Sequence, residues 1–372
     1  MRNTMKKQPK YLISGGGTGG HIFPAVSIAN ALRELQPECE ILFVGAQGRM
    51  EMERVPAAGY DIVGLPVRGF DRQNWFKNLS VLWDLEISMW RARKLIKKFQ
   101  PDVAVGVGGY ASGAALKMAH KLGVPTLLQE QNGFAGVTNK LLAKEAAKIC
   151  VAYEGMEKFF PADKIILTGN PVRQNLTQGS KAEGYQEFGF SPDKKTLLIV
   201  GGSLGARTIN QSVILHLKEL TESGIQVIWQ TGKGYIDEAR KAAAPFVSSH
   251  FIVTDFISRM DLAYAMADLV ISRAGASSIS ELCLLGKATI LVPSPNVAED
   301  HQTHNAMALV NKQAAVLVKD IDAEKELISK ALQLIFDETQ LAQLSQNSLK
   351  LAEKDSARRI AEEVIKLANL RK

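Results

Sequence analysis

Apolar residues along this chain fall into short unbroken runs, separated by longer segments whose apolar positions recur every three or four residues. In the first half the runs are YLIS, ILFVG, VAVGVGG, PTLLQEQ and KICVAY. They are short for helices and do not alternate, which is how strands buried on both faces read. Such runs interleaved with helical spacing predict a parallel sheet covered on both sides. The pattern restarts at TLLIVGGSLGA, Thr196 to Ala206, and continues through QVIWQTG, HFIVTDF, DLVISRAG and ATILVPSP. The fold class expected is α/β, with two Rossmann-like domains in tandem, each opening on a strand that enters a glycine loop. The boundary is placed after TGNPVR, where the polar stretch QGSKAEGYQEFGFSPDKK follows. This gives a first domain over 1–172, a second over 173–350 and a terminal segment over 351–372. In that last segment Ile360, Val364 and Leu367 share one helical face, with Asp355 or Ser356 as N-cap.

A length of 372 residues suits two cores better than one. The composition, 46% hydrophobic and 22% charged, is that of an ordered globular chain and not of a disordered one. A net charge of +7 is compatible with phosphate ligands or an anionic membrane surface, and selects neither. Nucleic-acid binding has no motif behind it. The cysteines, Cys39, Cys150 and Cys283, are far apart and lack C-x-x-C spacing, so neither a disulfide framework nor a zinc site is expected. The basic start MRNTMKKQPK leads into glycines and not into a signal-peptide core. No apolar run reaches the roughly 20 residues that span a bilayer.

The chemistry concentrates at strand ends. In SGGGTGGHIFPA, Gly15, Gly17 and Gly20 fit G-x-G-x-x-G between a strand and a helix, the setting of a dinucleotide fingerprint. That reading also needs an acidic residue after the next strand to hold the ribose, and Ala46-Gln47-Gly48 stands there. An NAD-dependent oxidoreductase is disfavoured accordingly. The alternative is a loop whose N–H groups approach a sugar or diphosphate, with His21 at its mouth to take a proton from a hydroxyl. A second glycine junction, GVGGYASGAAL, is followed by QEQNGFAGVTNK, in which Glu130, Gln131, Asn132 and Asn139 offer hydrogen-bonding groups with few reasons for burial. In the second half GGSLGAR presents Ser203 and loop N–H groups to a phosphate, and SRAGASSISEL brings Glu281, an acceptor suited to ribose hydroxyls. SPNVAEDHQTHNAMAL adds Glu299, Asp300, His301, Gln302, His304 and Asn305 in a spacing without a zinc motif. The only Asp-x-Asp, Asp320-Ile321-Asp322, precedes a helical segment and reads as N-cap chemistry and not as a metal–diphosphate clamp.

Taken in order, SGGGTGGHIFPA, GGYASGAA, EQNGFAGVTNK, TGNPVR, GGSLGAR and SRAGASSISE resemble the MurG family along nearly the whole chain. The resemblance implies a GT-B glycosyltransferase whose two Rossmann-like domains face each other across a cleft, the last helix crossing back to the first domain. It implies an inverting hexosyltransferase of peptidoglycan synthesis that moves N-acetylglucosamine (GlcNAc) from UDP-GlcNAc to the 4-hydroxyl of MurNAc. The acceptor is lipid I, undecaprenyl-diphosphoryl-MurNAc-pentapeptide, and the product lipid II. By motif, Thr18, Gly19, Gly20, Asn132 and Arg173 border the donor, and Ser203 contacts a phosphate. The backbone of Ile257 reads the uracil. Ala276, Ser277, Ser278, Ile279, Ser280 and Glu281 hold diphosphate and ribose, and Gln302 contacts the sugar with Asn305 nearby. His21 is the candidate general base; no metal and no cofactor are implied. Where the family often has two adjacent glutamines this chain has His301-Gln302. The competing readings are a UDP-GlcNAc 2-epimerase and a non-catalytic nucleotide-binding module.

A lipid acceptor and no spanning segment together require docking on the cytoplasmic face of the cell membrane. Arg68 to Phe99 carries Trp75, Phe76, Leu79, Leu82, Trp83 and Trp90 beside Lys77, Arg91, Arg93, Lys94, Lys97 and Lys98. Aromatic side chains among cations suit anionic headgroups, with Lys140 and Lys144 as further contributors. Partners among cell-wall and division proteins follow from the family and not from these residues.

Overall fold

The computed structural model describes residues 8–17, 19–68, 78–172, 174–202, 204–246, 248–297 and 300–370. Thr18, Trp75, Phe76, Lys77, Arg173, Ser203 and Glu299 lie outside them, as do the side chains of Leu79 and Leu82. The chain divides into one unit of Met1–Val172 with Asp355–Lys372 and another of Arg173–Lys354.

The first unit holds β1 (Lys10–Ser14), β2 (Glu40–Ala46), β3 (Asp61–Leu65), β4 (Val103–Gly106), β5 (Thr126–Glu130), β6 (Lys148–Val151) and β7 (Ile165–Leu167). They form one parallel sheet in the order β3-β2-β1-β4-β5-β6-β7. Successive residues of a strand point to opposite faces, and here both faces are covered. Leu12, Val44, Ala104, Leu128 and Ile149 pack on one side with residues of the helices Asn78–Phe99 and Tyr110–Lys121. Tyr11, Ile13, Phe43, Val105 and Leu127 pack on the other with the helix Gly19–Leu35 and with Ile360, Ala361, Val364 and Leu367. Burial on both faces is what removed any alternation from the sequence of these strands.

The second unit repeats the design with β8 (Thr196–Val200), β9 (Gln226–Gln230), β10 (Phe251–Thr254), β11 (Leu269–Ser272), β12 (Thr289–Leu291) and β13 (Val316–Leu317). Their order is β10-β9-β8-β11-β12-β13, again all parallel. In each sheet the chain first winds outward from its opening strand and then returns to that strand's other side. The winding reverses between β1 and β4 in one unit and between β8 and β11 in the other. A crevice opens off the carboxyl ends of strands at such a reversal, and ligands of open α/β sheets bind there.

Two details depart from the sequence reading, and a third was no part of it. Strands β3, β7 and β13 were not among the predicted runs. The terminal helix spans Ser356–Leu370, and the second unit reaches Lys354 because Leu351 and Ala352 pack on its core. Pro24 lies inside the helix Gly19–Leu35 and not at its start, so the Gly20 carbonyl lacks the amide that would normally bond it.

Candidate functional site

At the first reversal the loops after β1 and β4 are packed backbone to backbone. A Cβ on Gly109 would stand 2.6 Å from the Gly16 carbonyl oxygen, and one on Gly15 would stand 2.0 Å from the Val107 side chain. Glycine is required for contact this close. His21 is in the first turns of the helix that follows, half-buried, its ring against Gly108. Its Nδ1 lies 3.1 Å from the Gly16 carbonyl oxygen. A carbonyl only accepts, so Nδ1 is the donor in this contact, and the neutral tautomer it selects is the one with its lone pair on Nε2.

A carboxylate missed in the sequence fills the inner side of this loop. Glu51 opens the short helix Glu51–Ala57 and is fully buried, at 0% exposure. Its two oxygens accept from the N–H of Ala46 at 2.9 Å and of Gly17 at 3.0 Å. Two N–H bonds compensate the cost of burying the charge. The nearest sequence signal was an acid in a helix's first turn, which is usually solvated.

The polar cluster after β5 is scaffold more than surface. Glu130, Gln131 and Asn139 are buried, contrary to the expectation that they stand open. Glu130 accepts from the N–H of Asn132 at 3.1 Å, the N–H of Gly136 at 3.0 Å and the amide of Asn139 at 2.9 Å. Gln131 donates to the Val107 carbonyl at 2.8 Å, and Asn170 of TGNPVR donates to the Gln131 carbonyl at 2.9 Å. The network thus fixes the loop after β4 from beneath. Asn132, half-buried, is the member of the cluster left nearer the surface.

At the second reversal stand the loop after β8 and the helix Ala276–Leu284 after β11. Gly205 at φ +85° and Gly232 at φ +80° pack tightly, a Cβ on Gly232 standing 2.2 Å from the Gly205 nitrogen. Gly275 is the N-cap of Ala276–Leu284 and provides no side-chain cap, so the first N–H groups there are not bonded by a capping side chain. Ser277 in that first turn has a buried hydroxyl with no hydrogen-bond partner. Ser278 is half-buried, Ile279 is in the core, and the Ser280 hydroxyl turns back to the Ala276 carbonyl at 3.0 Å. Glu281 is buried one turn further on. Gln302 accepts from the Ser294 N–H at 2.9 Å, which holds the loop after β12. Asn305 is fully buried and donates to the Ala274 carbonyl at 3.3 Å, so it supports the β11 loop. Ile257, buried, sits in the turn after β10 beside exposed Phe256.

The Asp-x-Asp does not cap the helix that follows it. Asp322 occupies the N-cap position without a side-chain bond. Asp320 accepts from the Thr208 hydroxyl at 2.9 Å and pairs with Arg273, whose guanidinium also donates to the Val292 carbonyl at 3.1 Å. This pair ties the β8, β11 and β12 ends together and was not read from the sequence. Among the described residues no group of three or more His, Cys, Asp or Glu is arranged to hold a metal ion.

Two Rossmann-like units in one chain, each with a glycine loop at its sheet reversal, are the architecture of the GT-B fold class. Residues 11–151 match the glycosyltransferase family 28 N-terminal domain and residues 196–363 its C-terminal domain. A Bacteroides thetaiotaomicron protein named UDP-N-acetylglucosamine--N-acetylmuramyl-(pentapeptide) pyrophosphoryl-undecaprenol N-acetylglucosamine transferase is 63% identical over 98% of this chain and 99% of its own. The crystal structure of Acinetobacter baumannii MurG superposes with a TM-score of 0.80 at 27% identity, over 96% of this chain and 99% of that one. A UDP-GlcNAc 2-epimerase from Neisseria meningitidis reaches a TM-score of 0.67 at 16% identity, over 96% of this chain and 100% of that one, and shares the fold alone. The chain belongs to glycosyltransferase family 28 and, within it, to the MurG family.

Proposed function

We propose that this chain transfers GlcNAc from UDP-GlcNAc to the MurNAc 4-hydroxyl of lipid I, inverting the anomeric centre and forming lipid II. The observation that carries the assignment of parts is a contrast between the two reversals. In the first unit a buried carboxylate already bonds the glycine loop, which makes that loop hostile to a phosphate and suited to a neutral hydroxyl. In the second unit a capless helix N-terminus and the unpartnered Ser277 hydroxyl meet instead, which suits a diphosphate.

The second unit accordingly takes the donor. Helix-terminal N–H groups and Ser277 stabilise the charge that gathers on UDP as the glycosidic bond breaks. Glu281 accepts from the ribose hydroxyls, the Ile257 backbone reads the uracil, and Gln302 donates to the sugar. The first unit takes the acceptor, and Nε2 of His21 removes the hydroxyl proton as the oxygen attacks from the face opposite UDP.

The acceptor's lipid sets the location: the first unit docks on the cytoplasmic face of the membrane. No helix among the described residues is long and apolar enough to cross one. The helix Asn78–Phe99 buries Val81, Ser88, Ala92 and Ile96 on one stripe. Trp83, at 71% exposure, and Trp90, at 63%, lie seven residues apart on the other, among exposed Arg91, Arg93, Lys94, Lys97 and Lys98. The Lys94 ammonium sits 5.6 Å from the Trp90 ring centre. Exposed Val137 and Leu141, and Lys140 at 4.7 Å from the Phe134 ring, give the same unit a second apolar and basic patch.

The test is transfer of labelled GlcNAc from UDP-GlcNAc to a lipid I analogue in EDTA, for wild type and His21→Ala. Wild type is expected to turn over, with kcat lower by roughly 100- to 10,000-fold in the variant. Equal rates would remove His21 as base. UDP-GlcNAc binding without a new glycoside would remove the transferase.

A further inference from the structure

Glu51 is the only carboxylate that the two glycine loops of the first reversal are built around, among the described residues; two glycines make its room and a third bonds it. A Cβ on Gly16 would stand 2.1 Å from a Glu51 carboxylate oxygen, and one on Gly45 would stand 2.6 Å from its Cγ. The third, Gly17, has φ +88° and turns its N–H onto the carboxylate at 3.0 Å. The braced Gly17 N–H shares a peptide plane with the Gly16 carbonyl, whose oxygen meets Nδ1 of His21 at 3.1 Å. The chain of contacts therefore runs from the β2 end (Ala46 N–H) through Glu51 to the Gly16–Gly17 backbone and on to the imidazole.

We infer that Glu51 is a positioning residue for the transfer reaction: its carboxylate fixes the Gly16–Gly17 backbone so that the Gly16 carbonyl holds His21 as the Nδ1–H tautomer, with Nε2 as base. The inference rests on the role given to His21 above. The physical reason is directional. If Gly17 turns, the Gly16 carbonyl turns with its peptide plane. The imidazole then loses the acceptor that selects its tautomer and aims its ring, and displacement of a reacting group by about 1 Å costs on the order of 100-fold in rate. A glutamine in place of Glu51 keeps the shape but presents an NH2 where one of two N–H donors needs an acceptor, so one of the two braces is lost.

The experiment is a double-mutant cycle on the full chain with UDP-GlcNAc and a lipid I analogue, measuring kcat and KM for wild type, Glu51→Gln, His21→Ala and the double variant. Glu51→Gln is expected to lower kcat roughly 10- to 100-fold, with KM for UDP-GlcNAc unchanged. In the His21→Ala background the same substitution is expected to cost nothing further, a result that mere loosening of the fold would not produce. Calorimetric binding of UDP and the melting temperature report whether the variant folds. If the glutamine variant does not fold, Glu51→Asp carries the same cycle, with a smaller loss that again vanishes without His21. A wild-type kcat in Glu51→Gln overturns the inference, as does a rise in KM for UDP-GlcNAc at constant kcat. So does an equal loss with and without His21, which would leave His21 as base and Glu51 as scaffold alone. Full activity in His21→Ala itself would instead bring down the role of His21, and the inference with it.

Discussion

The three thiols are spectators, and their surroundings explain why. All are buried and unpaired. Burial pushes Cys150 up to about 12 and Cys283 up to about 11, and raises Cys39 as well, because a thiolate has no solvation in these cores. A thiol held in its neutral form is a poor nucleophile. At pH 8 a thiol reagent is expected to label none of the three on the minute timescale in the native protein and all three in denaturant. Rapid native labelling would contradict the burial. The same shift carries a pH sign. Between pH 9 and about 12 the unfolded Cys150 has lost its proton while the folded one keeps it, so its contribution to stability falls as pH rises through that window. Residues of this kind are legible in a sequence only as absences of motif. Glu51 was less legible still. It is an acid at the start of a seven-residue helix in RMEMERVP, and nothing local separates it from a solvated one. Its partner Gly17 is 34 positions away, and only folding brings β1, β2 and that helix together.

Among the elements, what could be read depended on burial. β1, β4 and β8 lie inside their sheets, and their centres YLI, VAV and LLIV are apolar without alternation, so an unbroken apolar run announced them. β3 and β13 close sheet edges, and β3 alternates exposed with half-buried positions over DIVGL. Two or three paired residues leave too little pattern to find, as at β13. The glycine loops were legible because tight backbone contact demands glycine, but their division of labour was not: GGGTGG and GGSLGA look alike until the carboxylate is placed. The helix Asn78–Phe99 shows the complementary case. Its tryptophans and cations were evident, yet which faced outward needed the buried stripe through Val81, Ala92 and Ile96. From that stripe follows a prediction for the element alone. Substituting Trp83 and Trp90 together by serine removes exposed aromatic surface and no core contact. Binding to vesicles containing anionic lipid is expected to weaken about tenfold or more, while UDP binding and melting temperature hold. Raising the salt concentration is expected to weaken the wild type through its cations. Unaltered vesicle binding in the double variant would place the docking surface elsewhere.

For the whole molecule, the last helix decides which residues stand or fall together. The chain leaves the first unit at Val172, builds the second, and returns at Asp355 to complete the first. Ile360, Ala361 and Val364 are fully buried against Tyr11, Ile28 and Leu32, so the first core contains residues more than 300 positions apart in sequence. The Arg359 guanidinium adds a bond of 2.6 Å to the Leu167 carbonyl at the end of β7. Each unit having its own core, stability is expected to respond to a ligand and to a core substitution in different units. UDP, whose proposed site is on the second unit, should raise the transition of Arg173–Lys354 by mass action, about 2.7 kcal/mol at a hundredfold excess over its Kd. Ile360→Ala empties a fully buried site and should cost roughly 2–5 kcal/mol in the first unit. In scanning calorimetry these two perturbations are expected to move different parts of the trace: UDP the donor unit, Ile360→Ala the acceptor unit. The position of the substitution makes the test sharp, because Ile360 follows the second unit in sequence and belongs to the first in packing. Were Ile360→Ala to lower the same transition that UDP raises, the terminal helix would have to be stabilising the donor unit, and the division of the chain argued from its cores would fail.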